Sequence, residues 1–271
     1  QLPMKLITYS SSEGLRSLGA IHQNQIIPLD SFLSKAGLSR IEMTGLLKAF
    51  ENNPGLKGEL LQYTENATVF IPMNGVQIDA PLIRPGKIVA LGRNYADHAK
   101  ETGVQPFEKP RIISKFPSSI TGPNTKIHAP ASVKKLDFEI ELAVVIGKTA
   151  KNILKEKAAE YIAGYTILND ISAREFQFDI SPPQTTFAKS MDGFCPLGPY
   201  LLTADEVENP QKLELNLWLN GVLMQHGNTK DMLFPIDYQI EYISSFITLE
   251  PGDIIATGTP AGIGAFRTPP V

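Results

Sequence analysis

Apolar and polar residues along this chain alternate in short runs, a pattern that predicts many strands and a few helices. The run ELAVVIG, which begins at Glu141, is apolar and rich in β-branched residues, and YIAGYTILND, which ends at Asp170, has the same character. Such runs are typical of buried strands. The pair Asn220-Gly221 stands between two further strand-like runs and predicts a tight hairpin turn.

Helical periodicity is present in four segments. SRIEMTGLLKAFENNPG predicts a helix that stops at Asn53-Pro54-Gly55, and LFPIDYQIEYISSF predicts another near the end of the chain. NILKEKAAEYIAGY predicts a covering helix with charged residues on one face and apolar residues on another. In the fourth segment, ILNDISAREFQ, a helix would place Asp170, Arg174 and Gln177 on one face.

A connector flanked by prolines, APLIRPGK, separates a small N-terminal unit from the rest of the chain. Residues 4–80 combine a strand–turn–strand pattern with a helix and contain no catalytic constellation, whereas residues 81–271 hold every candidate site residue. We therefore expect two domains with these bounds. Gln1-Leu2-Pro3 precede Met4, and we expect these three residues to be a cloning remnant.

Three carboxylates form the main candidate site. Glu139 and Glu141 are two residues apart in LDFEIE, so a strand would point both to one face of a sheet. Asp170 ends the next strand-like run. Adjacent buried anions need a shared cation or proton, and three oxygen ligands suit Mg²⁺ or Mn²⁺, with Ca²⁺ less suitable. The alternative is a solvated polar strand face, which the apolar flanking residues disfavour.

Other polar residues have two interpretations each. His98 and Glu101 are three apart, so a helix would bring the carboxylate beside the imidazole, as a catalytic pair or as an ordinary surface pair. Arg174 could contact a substrate carboxylate or brace the acidic cluster, and Lys189 could lie beside a substrate anion or be exposed. Thr259 could offer its hydroxyl to a ligand or belong to a tight turn. A Pro-rich loop containing Lys115 could line a pocket.

Composition excludes several classes of function. The 271 residues are 42% hydrophobic and 20% charged, which is ordinary for a globular protein. The net charge of −3 and the lack of a basic run argue against nucleic acid or an anionic membrane as the main partner. The single cysteine, Cys195, excludes an intrachain disulfide and fits a reducing compartment, which we expect to be the cytoplasm. No apolar run approaches the length of a membrane span, and we find no signal peptide.

Seven motifs in order carry a resemblance to a known family. They cover most of residues 87–268 and are GRNYADHAKE, SKFPSSITGP, LDFEIELAVVIGK, GYTILNDISARE, KSMDGFCPLGP, LNLWLNGVLMQ and LEPGDIIATGTPAGIG. Together they resemble the fumarylacetoacetate hydrolase family. The resemblance is greatest to its two-domain bacterial type, which is similar to acylpyruvate hydrolases, oxaloacetate decarboxylases and the 2-hydroxyhepta-2,4-diene-1,7-dioate isomerases of aromatic catabolism.

The resemblance implies a β-rich α+β fold, with a mixed β-roll around a divalent ion and a small N-terminal α+β domain. It implies a homodimer and a mobile lid carrying a catalytic pair. Family members usually continue beyond the TGTPAGIG loop into a closing strand, and we expect that strand to be missing from this sequence. The implied residues are Glu139, Glu141 and Asp170 as metal ligands, His98, Glu101 and Lys189 as catalytic residues, and Arg174, Gln177 and Thr259 around the substrate.

The leading hypothesis for function is metal-dependent hydrolysis of a C–C bond in a 2-oxo or 1,3-diketo acid, with His98 activating water. Decarboxylation of oxaloacetate and isomerisation of a hydroxy-dienedioate use the same groups and stay open as alternatives. A different class is an inactive relative that binds metal and oxo acid without turnover. The only partner expected otherwise is the small-molecule oxo-acid substrate.

Overall fold

Strands dominate the structure, and the helices between them are short. The computed structural model describes residues 4–271, so the expected cloning remnant lies outside the described residues. The strands are β1 (Lys5–Ser10), β2 (Arg16–His22), β3 (Gln25–Pro28), β4 (Ile71–Pro72), β5 (Gln77–Ile78), β6 (Ile88–Gly92), β7 (Arg111–Lys115), β8 (Ile120–Thr121), β9 (Leu136–Asp137), β10 (Ile140–Ile146), β11 (Ile162–Asn169), β12 (Ser172–Ala173), β13 (Cys195–Thr203), β14 (Glu214–Leu219), β15 (Val222–Asn228) and β16 (Ile254–Ala256).

Six α-helices lie between these strands. They are α1 (Asp30–Lys35), α2 (Met43–Asn52), α3 (Gly55–Glu65), α4 (Ala96–Glu101), α5 (Thr185–Ala188) and α6 (Ile236–Phe246). Further single turns are 3₁₀-helical, and residues Glu175–Asp179 form a short π-helix. Among the helices of residues 4–271, none is both long and apolar enough to cross a membrane.

A 12-stranded mixed sheet organises the fold, in the order β4-β3-β2-β1-β13-β11-β10-β16-β6-β7, with β5 on β1 and β8 on β13. Neighbouring strands are antiparallel except for β16 with β6 and β8 with β13. The predicted β-rich α+β class with a mixed sheet is therefore confirmed. The sheet also runs without a break from the N-terminal strands into the rest through the pairing of β1 with β13. The expected division at residue 80 stays a prediction.

Strand β10 lies at the centre of the packing, and all seven of its residues are buried. Ala143 and Val145 belong to one hydrophobic cluster, while Leu142, Val144 and Ile146 belong to another on the opposite face. A strand covered on both faces needs apolar residues at consecutive positions, which explains the continuous run ELAVVIG. The predicted buried strand is confirmed.

Two of the predicted helices are confirmed, together with the hairpin. Helix α2 ends at Asn52, before Asn53-Pro54-Gly55, and α6 occupies the LFPIDYQIEYISSF segment. Proline is well suited to the start of a helix, and here Pro54 is also the N-cap of α3, a helix that the sequence did not predict. Asn220 and Gly221 have φ angles of 51° and 80°, as a two-residue hairpin turn between β14 and β15 requires.

The helix predicted over NILKEKAAEYIAGY is wrong. Residues Lys155–Tyr161 form a short 3₁₀-helix, and the chain enters β11 at Ile162. The alternation of Lys and Glu favours a helix, but Ile162–Tyr165 pair with β10 on one side and β13 on the other. Pairing in the centre of the sheet outweighs the local preference for helix.

The helix predicted over ILNDISAREFQ is also wrong. Asp170 follows β11, Ser172 and Ala173 form β12 against β9, and only then does the chain turn into the π-helix Glu175–Asp179. Asp170 and Arg174 are therefore not on one helical face. They lie close to the same acidic cluster because β9 and β12 pair beside it.

Gly164 allows β11 and β13 to approach closely, since a Cβ on Gly164 would lie 2.1 Å from the carbonyl oxygen of Leu202. We expect Gly164→Ala to lower the free energy of unfolding by about 2 kcal/mol or more, because backbone must move to accept the methyl group. The control is Gly58→Ala in α3, where a Cβ meets nothing within 4 Å. That change should stabilise the protein by about 0.5–1 kcal/mol. Urea unfolding measures both, and equal midpoints would contradict the close approach.

Candidate active site

The three predicted carboxylates meet at the ends of two adjacent strands. Glu139 precedes β10, Glu141 lies within it, and Asp170 follows β11, whose last residue, Asn169, pairs with Ile140. One oxygen from each of Glu139, Glu141 and Asp170 lies within 4.8 Å of the other two, and all three side chains are buried. The backbone N–H of Asp170 donates to the carbonyl oxygen of Glu139 over 2.8 Å, which fixes the two strand ends together.

Two buried lysines pair with this cluster. Lys189 donates to Glu139 Oε2 over 3.2 Å, to Asp170 Oδ2 over 2.7 Å and to Ser172 Oγ over 2.8 Å. Lys115, on β7, donates to Asp170 Oδ1 over 2.6 Å and to the carbonyl oxygens of Ile171 and Lys189. An ammonium group has three donors, so both lysines are fully hydrogen-bonded. Neither is an exposed cation.

Arg174 adds a third buried cation, held by Asp137. Its Nε donates to Asp137 Oδ2 and its Nη1 to Glu139 Oε1, both over 2.8 Å, and Nη1 also donates to Gln177 Oε1 over 2.9 Å. Asp137 in turn accepts from the backbone N–H groups of Gly264 and Ala265. Arg174 Nη2 is buried and has no hydrogen-bond partner among residues 4–271. Arg174 thus braces the acidic cluster and keeps one donor unused.

Charge pairing in this region is incomplete. Asp137, Glu139 and Asp170 each form at least one ion pair with Lys115, Arg174 or Lys189, whereas Glu141 forms none within the described part of the chain. Glu141 instead accepts the backbone N–H of Gly258 over 3.0 Å. Four buried carboxylates thus share three buried cations, which leaves one negative charge to be compensated.

The pKa values of the two glutamates diverge accordingly. Burial raises the pKa of the Glu141 carboxyl well above its usual range, and the negative charges of Asp170 and Glu139 raise it further. Burial alone would also raise the pKa of Glu139, but the positive charges of Lys189 and Arg174 outweigh it and lower that pKa to about 2. In the metal-free protein, Glu141 is therefore the carboxyl that retains a proton most readily.

The cluster suits a hard divalent cation. Glu139, Glu141 and Asp170 offer oxygen atoms only, which Mg²⁺ and Mn²⁺ prefer, and their oxygens are close enough together to share one ion. The uncompensated carboxylate also favours an added positive charge. A divalent cation bound here would compete with a proton for Glu141.

The predicted pair of His98 and Glu101 faces the same region. Both lie on α4, with His98 Nδ1 3.0 Å from Glu101 Oε2, and His98 is only 6% exposed. The other oxygen of Glu101 accepts the backbone N–H of Gly262 over 3.1 Å. His98 lines the same cavity as Glu139 and Asp170, so the imidazole faces the carboxylates. The interpretation of His98 as a solvated surface residue is therefore wrong.

The segment that carries this pair is fixed at its start. Asn94 donates to the carbonyl oxygens of Phe234 and Thr257 and accepts the N–H of Phe234, and Tyr95 is fully buried beside Met232. The mobile lid that the resemblance implies is the segment GRNYADHAKETG, residues 92–103, and the structure fixes its Asn94 and Tyr95. A movement of residues 96–103 stays a prediction.

Thr259 lines the site, but its hydroxyl is already engaged. Thr259 Oγ1 donates to the carbonyl oxygen of Ile140 over 2.8 Å and accepts from Gln225 Nε2 over 2.8 Å. Gln225 reaches this point from β15 and also accepts the N–H of Ile140. The Thr259 hydroxyl therefore has no proton left for a ligand.

A small cavity of about 40 Å³ connects these groups. Most of the predicted site residues line it. Glu101 and Glu141 are not among the lining residues, but Glu101 is hydrogen-bonded to His98 and Glu141 to the backbone N–H of Gly258. The lining residues predicted from the sequence are His98, Glu139, Asp170, Arg174, Gln177, Lys189 and Thr259.

Sequence reasoning missed several groups in this region. Lys115 had been noted only as part of a loop, and Asp137 could have been found from its spacing, because Asp137, Glu139 and Glu141 alternate along one segment. Arg93 and Arg111 also line the cavity. No local pattern distinguishes these two arginines from surface residues.

Comparison with known proteins identifies the family of this chain. The family model described as fumarylacetoacetate (FAA) hydrolase C-terminal matches residues 87–271. Oxaloacetate tautomerase FAHD2B, a mitochondrial protein of Bos taurus, is 46% identical over 201 residues, which cover 74% of this chain and 64% of that protein. The match therefore spans less than two thirds of that relative's length.

Solved structures match nearly the whole chain. Maleylpyruvate hydrolase from Sphingobium sp. SYK-6, in complex with manganese(II) ion and pyruvate, is 31% identical with a TM-score of 0.80, and the match covers 96% of this chain and 90% of that one. Fumarylacetoacetate hydrolase from Exiguobacterium antarcticum is 33% identical with a TM-score of 0.82, covering 99% and 91%. The predicted enzyme class is confirmed at the level of the family. By sequence, motif order and fold, this chain belongs to the fumarylacetoacetate hydrolase family.

Proposed function

We propose that this protein is a divalent-metal-dependent enzyme that interconverts the keto and enol forms of an oxaloacetate-like 2-oxo acid. The observation that carries the proposal is the buried Glu139, Glu141 and Asp170 triad facing the His98–Glu101 pair across one small cavity. The 46% identity to a protein named oxaloacetate tautomerase supports this reaction. The small cavity favours a short substrate.

Glu139, Glu141 and Asp170 would hold the cation, either Mg²⁺ or Mn²⁺. When bound, it would supply a Lewis acid that stabilises the negative charge developing on the 2-oxo oxygen. The manganese(II) ion in the related maleylpyruvate hydrolase structure supports Mn²⁺ for this site.

Arg174 is the group best placed to bind the substrate's 1-carboxylate. Its Nη2 lacks a partner within the described residues, and Gln177 and Asp137 fix the plane of the guanidinium. A buried donor without a partner is costly, so a carboxylate oxygen there gains a charge-assisted hydrogen bond. Lys189 places a positive charge beside Glu139 and Asp170, where it offsets the negative charge of these two carboxylates.

His98 is the proposed base. Glu101 accepts the proton on Nδ1, which leaves Nε2 as the basic nitrogen. Nε2 takes a proton from C3 of the keto acid, the electron pair of that C–H bond moves into the C2–C3 bond, and the π pair of the C2–O bond moves onto the oxygen. The resulting imidazolium then gives a proton to that oxygen. The reaction is a proton transfer with no net gain or loss of atoms.

Hydrolysis of a C–C bond is the second candidate, supported by the likeness to maleylpyruvate hydrolase. His98 would then deprotonate water, which attacks the distal carbonyl. The C–C bond breaks, its electron pair goes to the 2-oxo acid fragment as an enolate, and the imidazolium returns the proton to that fragment. Both candidates need the same base, whereas decarboxylation of oxaloacetate does not.

The base is tested by His98→Gln, with His226→Gln on the exposed hairpin as the matched control. We expect kcat/KM for oxaloacetate tautomerisation and for acetylpyruvate cleavage to fall by about a hundredfold to ten-thousandfold, since a positioned general base contributes that much. The control should keep the wild-type rate.

The same assays separate the alternatives. Decarboxylation that persists in His98→Gln while tautomerisation is lost would identify a decarboxylase side reaction. Tight oxo-acid binding by the wild type with no turnover of any substrate would contradict the proposal and favour an inactive binding protein.

Cation binding should release a proton from Glu141. The pKa of this carboxyl is raised in the folded protein. The free energy of unfolding should therefore fall as pH rises from the ordinary carboxyl range towards that raised pKa. Cation affinity should increase over the same window, by about tenfold per pH unit, and level off above it. Calorimetric titration with Mn²⁺ in two buffers of different ionisation enthalpy counts the released proton.

Two variants control this measurement. Glu141→Gln should lower Mn²⁺ affinity by more than about a hundredfold, because loss of a ligand costs more than loss of a residue that only orients a ligand. The same change should abolish the proton release. Glu156→Gln, an exposed carboxylate outside the site, should behave as the wild type. Wild-type affinity that does not vary with pH would exclude Glu141 as a proton-linked ligand.

Closure of the lid is tested by hydrogen exchange of residues 96–103 in saturating Mg²⁺. Oxalate, as a mimic of the enolised acid, should slow exchange in this segment by about tenfold or more, because a bound ligand orders a weakly held element. The core helix α6 serves as the internal control. Equal exchange with and without oxalate, after oxalate binding has been demonstrated, would contradict a moving lid.

A further inference from the structure

Two arginines at the cavity lack the pairing that its other cations have. Arg93 and Arg111 line the cavity together with the carboxylates, but neither forms an ion pair in the described part of the chain, whereas Lys189 and Arg174 do. Burial lowers the pKa of Arg93, and the positive charge of Arg111 lowers it further. Two like charges therefore face each other, an arrangement that a bound anion would stabilise.

The backbone brings these arginines together. Gly92, the last residue of β6, pairs with Arg111, the first residue of β7. Arg93 follows directly, with a φ of 56°, in the left-handed region. A Cβ on Gly92 would lie 3.3 Å from Arg111 Nη1, so glycine at this position leaves room for the guanidinium across the end of β6.

Arg93 is half-buried and Arg111 is exposed, and each guanidinium has a further contact that leaves most of its donors unused. The Arg93 guanidinium lies 5.7 Å from the centre of the Phe107 ring, and Arg111 Nη2 donates to Thr185 Oγ1 over 3.4 Å. A guanidinium has five N–H donors in a plane that matches a carboxylate. Both arginines therefore keep donors available for an anion in the cavity.

The remaining wall suits a short hydrocarbon chain. Phe178, Ile263 and Phe266 line the cavity, with the two phenyl rings edge to face at 5.9 Å. Among the lining residues, Arg93 and Arg111 are the only arginines or lysines without a carboxylate partner. An anionic group on the ligand beyond the Arg174 and Lys189 end thus has one place to bind.

We propose that Arg93 and Arg111 form a second carboxylate-binding subsite that makes this protein selective for 2-oxo acids with a carboxylate at the far end of the chain. The proposal rests on the proposed function, because the first carboxylate and the 2-oxo group occupy the triad end of the cavity. Arg93 and Arg111 are therefore specificity-determining residues, and His98 remains the base.

Two ligands of equal chain length test the subsite. 2-Oxoglutarate and 2-oxopentanoate each have five carbons and the same 2-oxo acid end, and they differ only in the distal carboxylate. Their dissociation constants are measured by calorimetry in saturating Mn²⁺ for the wild type, Arg93→Gln, Arg111→Gln and Arg111→Lys. Arg84→Gln, an exposed arginine outside the cavity, controls for the change in net charge.

The wild type should bind the diacid at least about tenfold more tightly than the monoacid. Arg93→Gln and Arg111→Gln should each weaken diacid binding by about tenfold to a hundredfold, the effect of losing one charge-assisted pair of hydrogen bonds. Monoacid binding should change by less than about twofold, which also shows that the variants are folded. Arg111→Lys should recover part of the loss, since it keeps the charge without the planar donors.

The outcomes separate this proposal from the proposed function. If neither oxo acid binds in the presence of Mn²⁺, the proposed function fails and the subsite fails with it. If the wild type binds both acids equally, 2-oxo acid binding stands and the subsite is overturned. A preference for the diacid that survives both Arg→Gln variants would also overturn the assignment to Arg93 and Arg111.

Discussion

The burial of four carboxylates in one region is the constraint on which the rest of this structure depends. Charged groups are costly to remove from water unless they are paired and hydrogen-bonded. Asp137, Glu139 and Asp170 meet this requirement through three cations that come from β7, the start of the π-helix and the end of α5. Glu141 does not, and its buried carboxyl therefore favours either a bound proton or an added cation.

The order of strands in the sheet makes this arrangement possible. β10 and β11 place the carboxylates at adjacent strand ends, and β16 lies on the other side of β10, between β10 and β6. The loop after β16 contributes Gly258 to Glu141, Gly262 to Glu101, and Gly264 to Asp137. Backbone N–H groups from a single loop thus contact three carboxylates in three parts of the site. Glu141 belongs to the acidic triad, Glu101 contacts His98, and Asp137 holds Arg174. A shift of this loop would disturb the acidic triad, the His98–Glu101 pair and Arg174 together.

The sequence predicted those parts of the site whose geometry is local. Glu139 and Glu141 share a face because strands repeat every two residues, and His98 meets Glu101 because helices bring residues three apart together. Lys115 could not be predicted in this way, because its contact with Asp170 joins strands 55 positions apart in sequence. Arg93 and Arg111 could not be predicted either, because only the three-dimensional structure shows that both line the cavity without a carboxylate partner.

Local patterns gave wrong predictions where the same stretch of sequence is compatible with both a helix and a strand. The charged residues of NILKEKAAEYIAGY fit a helix, but pairing on both sides of β11 decides its second half. In ILNDISAREFQ, the expected helical face was replaced by β12 and a π-helix, yet Arg174 still reached Gln177. Thr259 lines the cavity as expected, but its hydroxyl donates its proton to the backbone carbonyl oxygen of Ile140. No sequence pattern reveals this contact.

Glu101 has a consequence that extends beyond orienting His98. One of its oxygens accepts from the imidazole and the other from the backbone of Gly262, so a single carboxylate joins α4 to the loop after β16. Both residues of the pair lie on α4, so a movement of this helix would carry His98 and Glu101 together and break only the contact with Gly262. The imidazole would keep its carboxylate partner in either position of the helix. A movement of α4 would therefore change where the pair stands relative to Glu139, Glu141 and Asp170, and would leave the pairing itself intact.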